Sequence, residues 1–140
     1  MRYKKSENFI VIRLDEDEQI IKNIEKVCSR EKVRSGVVLS MIGALKKGTL
    51  IYRRGFKGDF NEHLEIIGSG NISKLENMVK IHLHITGGNE KGVKAGHLIE
   101  GVVTVFCEII IQIIGGLKME RKEDKRLRSQ KVFAPYVLEP

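Results

Sequence analysis

Three of the four histidines in this 140-residue chain fall into two short patterns, His82-Leu83-His84 and the glycine-framed His97, thirteen residues beyond His84. On a strand, alternate residues share a face, so His82 and His84 point the same way with Cα atoms roughly 6–7 Å apart, and Leu83 points inward. Three neutral imidazoles converging on one point make a divalent metal site with a fourth position open to water or an exogenous ligand, a donor set that suits zinc. If the strand ending at Thr86 pairs antiparallel with one starting near His97, a register of Thr86 opposite His97 brings His97 diagonally beside His84. A slip of one residue turns it to the other face. Glu100, three residues after His97, could orient a histidine, add a ligand or act as general base. Alternate histidines on a strand also occur merely facing solvent, and the second, glycine-framed pattern lifts this set above that. His63 lacks partner spacing and reads as surface or interface. Cys107 lies about 30 Å along the strand from His97 and cannot complete the same site within one chain.

These residues need a sheet to hold them. Phe9 to Leu14 alternates as an opening strand. Asp15 and Glu18 form an acidic capping box ahead of Ile20, Ile21, Ile24, Val27 and Cys28, one apolar stripe on a helix of about four turns. Gly36 is the first stop signal after it. The period then changes to two. Strands are predicted at Val37–Ile42 (broken by Gly43), Thr49–Arg54, Leu64 towards Ile72, Val79–Thr86, Val102–Ile114 and Leu117–Lys122, with loops at 56–61 and 87–92. Gly68 and Gly70 suggest a bulge or a close backbone approach. Val103, Val105, Cys107, Ile109, Ile111 and Ile113 are expected to form one continuous apolar face. Val102, Phe106, Ile110 and Ile114 on the opposite face exceed what one helix can cover, which predicts a homo-oligomer. The expected fold is α+β, one domain over 1–140 with a core over about 9–122 and a tail, 123–140, packing back through Val132, Phe133, Tyr136, Val137 and Leu138.

Apolar residues make up 41% and charged residues 31%, a globular rather than disordered balance. The four-residue apolar run at Phe9–Ile12 is too short for a signal-peptide core, and no stretch approaches a membrane span. A cytoplasmic protein is expected, with Cys28 and Cys107 as buried thiols. The net charge of +7 favours polyanions, and Lys118–Lys131 carries seven basic residues against three acids, without an aromatic to stack on bases. That run reads either as a salt-bridged solvated edge or as a surface for nonspecific nucleic-acid contact. A phosphate loop, a nucleophile elbow, Cys-x-x-Cys and an EF-hand loop are absent, and Ser40 has no catalytic context.

In order, the segments Ser35-Gly-Val-Val-Leu-Ser40, Ile42-Gly-Ala-Leu45, Gly70-Asn-Ile-Ser73, His82-Leu-His84 and Gly96-His-Leu-Ile-Glu-Gly101 resemble the plant and prokaryote conserved (PPC) domain, from Phe9 to about Lys122. The resemblance implies a seven-stranded antiparallel sheet with one main helix, a trimer, and zinc held by His82, His84 and His97. In plants the domain accompanies AT-hooks in nuclear DNA-binding proteins. This chain has no AT-hook. At Asn61–Ile66 it keeps only Glu65-Ile66 of the Gly-Arg-Phe-Glu-Ile-Leu segment that the plant domain uses for partner contacts. The expected function is therefore a stand-alone DNA-binding or regulatory homotrimer whose zinc is structural or binds a small anionic ligand. The alternative is a zinc enzyme with Glu100 as base.

Overall fold

The computed structural model describes residues 1–53, 56–130 and 136–139. A polar edge strand, β1 (Arg2–Ser6), pairs with β2 (Phe9–Asp15) through a turn at Glu7, whose φ is 50°. β1 lacks the apolar alternation that marked the other strands, and its lysines suit an unpaired sheet edge. In β2, Ile10, Ile12 and Leu14 are buried while Phe9 and Val11 face out, as the alternation predicts.

Helix α1 (Ile20–Arg30) buries Ile20, Ile24, Val27 and Cys28 on the sheet. It has three turns rather than four, and both ends differ from expectation. The N-cap is Gln19, whose side chain accepts from the Lys22 amide at 3.1 Å, while Glu18 instead accepts from the Asp15 amide at 2.8 Å and shapes the preceding turn. At the other end Lys32 takes φ 55°, and the Val33 and Lys32 amides donate back to the Cys28 and Ser29 carbonyls at 2.8 and 3.2 Å. That is a Schellman closure with Lys in the position usually held by Gly, sealed by buried Val33. The chain therefore leaves the helix well before Gly36.

Two long strands organise the rest of the sheet. β3 (Gly36–Arg53) and β7 (Gly92–Ile113) pair antiparallel, and β7 also takes β2 on its other side. Gly43 does not break β3: a β-carbon there would lie 2.4 Å from the Phe106 carbonyl oxygen, so glycine lets the two backbones close up. Directly opposite, the register jumps from Gly43–Cys107 to Ala44–Thr104, leaving Val105 and Phe106 without a partner on β3, with Val105 at φ 64°. The bulge turns Val105 out, 61% exposed, and interrupts the expected continuous apolar face. β4 (Phe56–Phe60), expected as loop, pairs with β3. β5 (Leu64–Leu75) pairs with β3 and β6 (Met78–Asn89), and β6 with β7, so the path β3-β5-β6-β7 returns to β3. Residues 87–92, also expected as loop, continue the two strands to a tight turn at Glu90-Lys91, where the Asn89 side chain accepts from the Lys91 amide at 2.9 Å.

β8 (Glu120–Glu123) starts later than expected, beyond exposed Leu117, and meets β5 in parallel at Lys74–Glu120. α2 (Lys125–Ser129) is short, and β9 (Tyr136–Glu139) pairs with β8. The described sheet thus has nine strands and is mixed, where about seven antiparallel strands were expected. The α+β class, with one main helix on one face, stands. In the tail, Tyr136, Val137 and Leu138 belong to β9, whereas Val132 and Phe133 lie outside the described residues.

The core lies between α1 and the inner face of the sheet. On the outer face, the cross-strand pairs Ile42–Ile67 and Val11–Ile110 stand exposed.

Candidate metal centre

The outer face of β6 carries Lys80, His82, His84 and Thr86, because Val79, Leu83 and Ile85 are drawn into the core. Opposite His82 on β5 stands Asn71, and between Ser69 and Asn71 sits Gly70, where a β-carbon would lie 2.0 Å from the His82 carbonyl oxygen. That glycine lets β6 approach closely enough to seat His82. On the other side His84 pairs directly with His97, and Thr86 with Ala95. The register is two residues from the one anticipated, which preserves parity, so His97 still faces outward with the other two.

The rings meet. His82 and His84 centroids are 5.1 Å apart, His82 and His97 4.8 Å, His84 and His97 5.4 Å. One potential ligand atom from each ring lies within 4.8 Å of the others. The His82 and His84 Nε2 atoms are 3.2 Å apart in a hydrogen bond, which requires at least one ring to be neutral. Nitrogens bound to one tetrahedral metal at 2.0–2.1 Å stand about 3.3 Å apart, so one pair already has that spacing and the third needs a modest closing movement. The three-histidine group could therefore hold a metal ion. Burial first, then the neighbouring imidazoles and the Arg121 guanidinium, push the His97 pKa down to about 4. Burial, Arg121 and His84 lower that of His82. Neutral imidazole is the form that ligates.

The other sequence candidates do not join this group. Glu100 is not among the converging donors; its carboxylate accepts from the Thr49 hydroxyl at 3.3 Å, and Thr49 also donates to Asp59 at 2.7 Å. His63 pairs with Glu65 at 2.7 Å on the surface. Arg121, which no sequence pattern singled out, reaches from β8 to Asn71 beside His82, with Nη2 donating to Asn71 Oδ1 at 2.9 Å. An open groove of about 510 Å³, with Ile42, Ile67, Thr86 and His84 among its lining, runs along the other side of the cluster.

Three of the six described basic residues of the run 118–131 are paired with acids. Lys122 pairs with Glu139, Arg126 with Asp124 at 2.7 Å, and Arg128 with Glu123. Among the described residues, no helix is long and apolar enough to cross a membrane.

The family profile of the Plants and Prokaryotes Conserved (PCC) domain matches residues 1–115. Among solved structures, the chain is similar to a candidate DNA-binding protein from Bacteroides thetaiotaomicron, at 26% identity and TM-score 0.83 over 99% of this chain and 98% of that one. It is similar to a plant- and prokaryote-conserved (PPC) protein from Pyrococcus horikoshii, at 25% identity and TM-score 0.80 over 99% and 94%. A metal-containing protein from Archaeoglobus fulgidus is 25% identical with TM-score 0.79 over 95% and 94%. No protein of curated function matches the chain.

Proposed function

This chain belongs to the Plants and Prokaryotes Conserved (PCC) domain family, and on that basis we propose that it is a DNA-associated regulatory protein carrying zinc on His82, His84 and His97. The convergence of the three imidazoles on the outer face of β6 and β7 carries the metal part of this reading, and the metal-containing relative from Archaeoglobus fulgidus supports it. Zinc fits three neutral nitrogen donors with an open fourth position. When bound, it would supply a Lewis-acidic point for an exogenous donor.

The DNA part draws support from the candidate DNA-binding relative from Bacteroides and from the net charge of +7. Contact would be electrostatic and indifferent to sequence, since the basic residues are scattered and no AT-hook is present. The reading extends to one domain over residues 1–140, working in the cytoplasm, where the free thiols of Cys28 and Cys107 would persist. It also includes a homotrimer formed through the apolar outer face, for which the exposed Ile42–Ile67 and Val11–Ile110 pairs are the support.

The test is fluorescence anisotropy of a labelled duplex, with zinc content measured on the same samples and salt raised from low to physiological. Binding that weakens steeply with salt, equally for unrelated duplexes, is the expected result. Absence of binding even at low salt would remove DNA from the function and leave a metal-binding protein.

A further inference from the structure

We propose that Arg121 and the metal held by His82, His84 and His97 together bind a small oxyanion, a carboxylate or a phosphate. This deepens the zinc reading above and rests on it.

The first observation is how Arg121 is held. Its Nε donates to the Ser73 hydroxyl at 2.9 Å, its Nη2 to Asn71 Oδ1 at 2.9 Å, and its Nη1 to the Tyr136 carbonyl at 3.5 Å. Every one of these partners is neutral. Among the described residues no carboxylate pairs with Arg121, whereas Arg2, Arg13, Arg126 and Arg128 each have one. The side chain is half-buried, so its charge has lost part of its hydration without an anion to offset the loss. A guanidinium has five N–H groups in a planar fork, and two remain after these contacts.

The second observation is position. Asn71 and His82 are direct cross-strand partners on the outer face, and such pairs stand about 5 Å apart at Cβ. The guanidinium fixed to Asn71 thus lies alongside the histidine cluster.

The third observation is charge. Among the described residues, no Asp or Glu joins the three-histidine group. A divalent ion on neutral ligands next to an unpaired guanidinium concentrates positive charge in a partly dry place, where like charges repel more strongly than in water. One oxyanion accounts for all of this: an oxygen fills the open coordination position while another accepts from the guanidinium fork. A structural strap alone would not require a cation, because a neutral donor would serve Ser73 and Asn71.

The experiment uses the full chain loaded with cobalt(II), whose visible bands report on its ligands. Acetate and inorganic phosphate are titrated separately into wild type, Arg121→Gln and Arg121→Lys, and cobalt stoichiometry and thermal midpoint are recorded for each. A saturable spectral change is expected in wild type, the tighter anion identifying the class. In Arg121→Gln the affinity should fall about tenfold or more at unchanged cobalt stoichiometry. Arg121→Lys, which keeps the charge without the fork, should fall between them and covers the case in which Arg121→Gln does not fold. Unmoved bands in wild type, or affinity in either folded variant within about twofold of wild type, overturn the proposal alone. Failure of wild type to bind cobalt overturns the metal reading, and this proposal with it.

Discussion

At His97, burial and two neighbouring imidazoles act in the same direction, and the group is about 4 in the folded, metal-free chain against 6.5 for an ordinary histidine. Between those values the unfolded chain binds the proton and the folded one does not, so stability rises with pH across that interval. Metal-free protein should therefore have its full His97 contribution above about pH 6.5 and lose it as pH falls towards about 4. Thermal midpoints of chelator-treated wild type and His97→Gln, compared over this range, should converge as the pH drops. Parallel curves would contradict the assignment. The pairing of His82 with His84 was legible in the sequence because a strand's period of two needs no tertiary information. Arg121 was not, because it meets Ser73 across 48 residues of chain through a single parallel contact between β5 and β8. Nothing local in Glu120–Glu123 announces that contact.

Glycines decide the outcome at the level of elements. Gly43, Gly87 and Gly88 look like breakers along the chain, yet all three lie within strands. Sequence periodicity shows where backbone freedom exists but not whether it serves a turn or a close approach, which depends on the strand alongside. Gly70 is the instance that bears on the site. A methyl group there would meet the His82 carbonyl oxygen at 2.0 Å, so β5 and β6 must part. Gly70→Ala should lower stability by about 1–3 kcal/mol, the usual cost of overpacking, and reduce metal occupancy by displacing His82. Chemical denaturation with metal analysis of the folded fraction checks both. A variant as stable as wild type with full occupancy would show that β6 is not seated by this contact. The bulge at Val105 belongs here too: the apolar alternation of β7 reads as unbroken, and only the register against β3 reveals the two residues without a partner on that strand.

The whole molecule has one apolar face covered by α1 and another left open. Ile42 and Ile67, cross-strand partners at 57% and 63% exposure, lie on the open one, together with Val11 at 52%. A surplus of apolar surface could be anticipated from the sequence, since Ile110 and Val102 had no second helix to cover them. The number of copies could not, because symmetry is a property of surfaces meeting. If that face joins subunits, Ile42→Asp should shift the light-scattering mass from a trimer to the 15.9 kDa of one chain while leaving α1 packed. An unchanged mass would place the interface elsewhere, and a wild-type mass of 15.9 kDa would remove the oligomer altogether. Zinc on three histidines underlies both the proposed function and the oxyanion site, and anomalous scattering from crystals measured on both sides of the zinc absorption edge addresses it without intermediaries. The expected result is one zinc-specific peak per chain, about 2.0–2.1 Å from a ring nitrogen of each of His82, His84 and His97. A map in zinc-supplemented crystals with no peak between these three rings would contradict it.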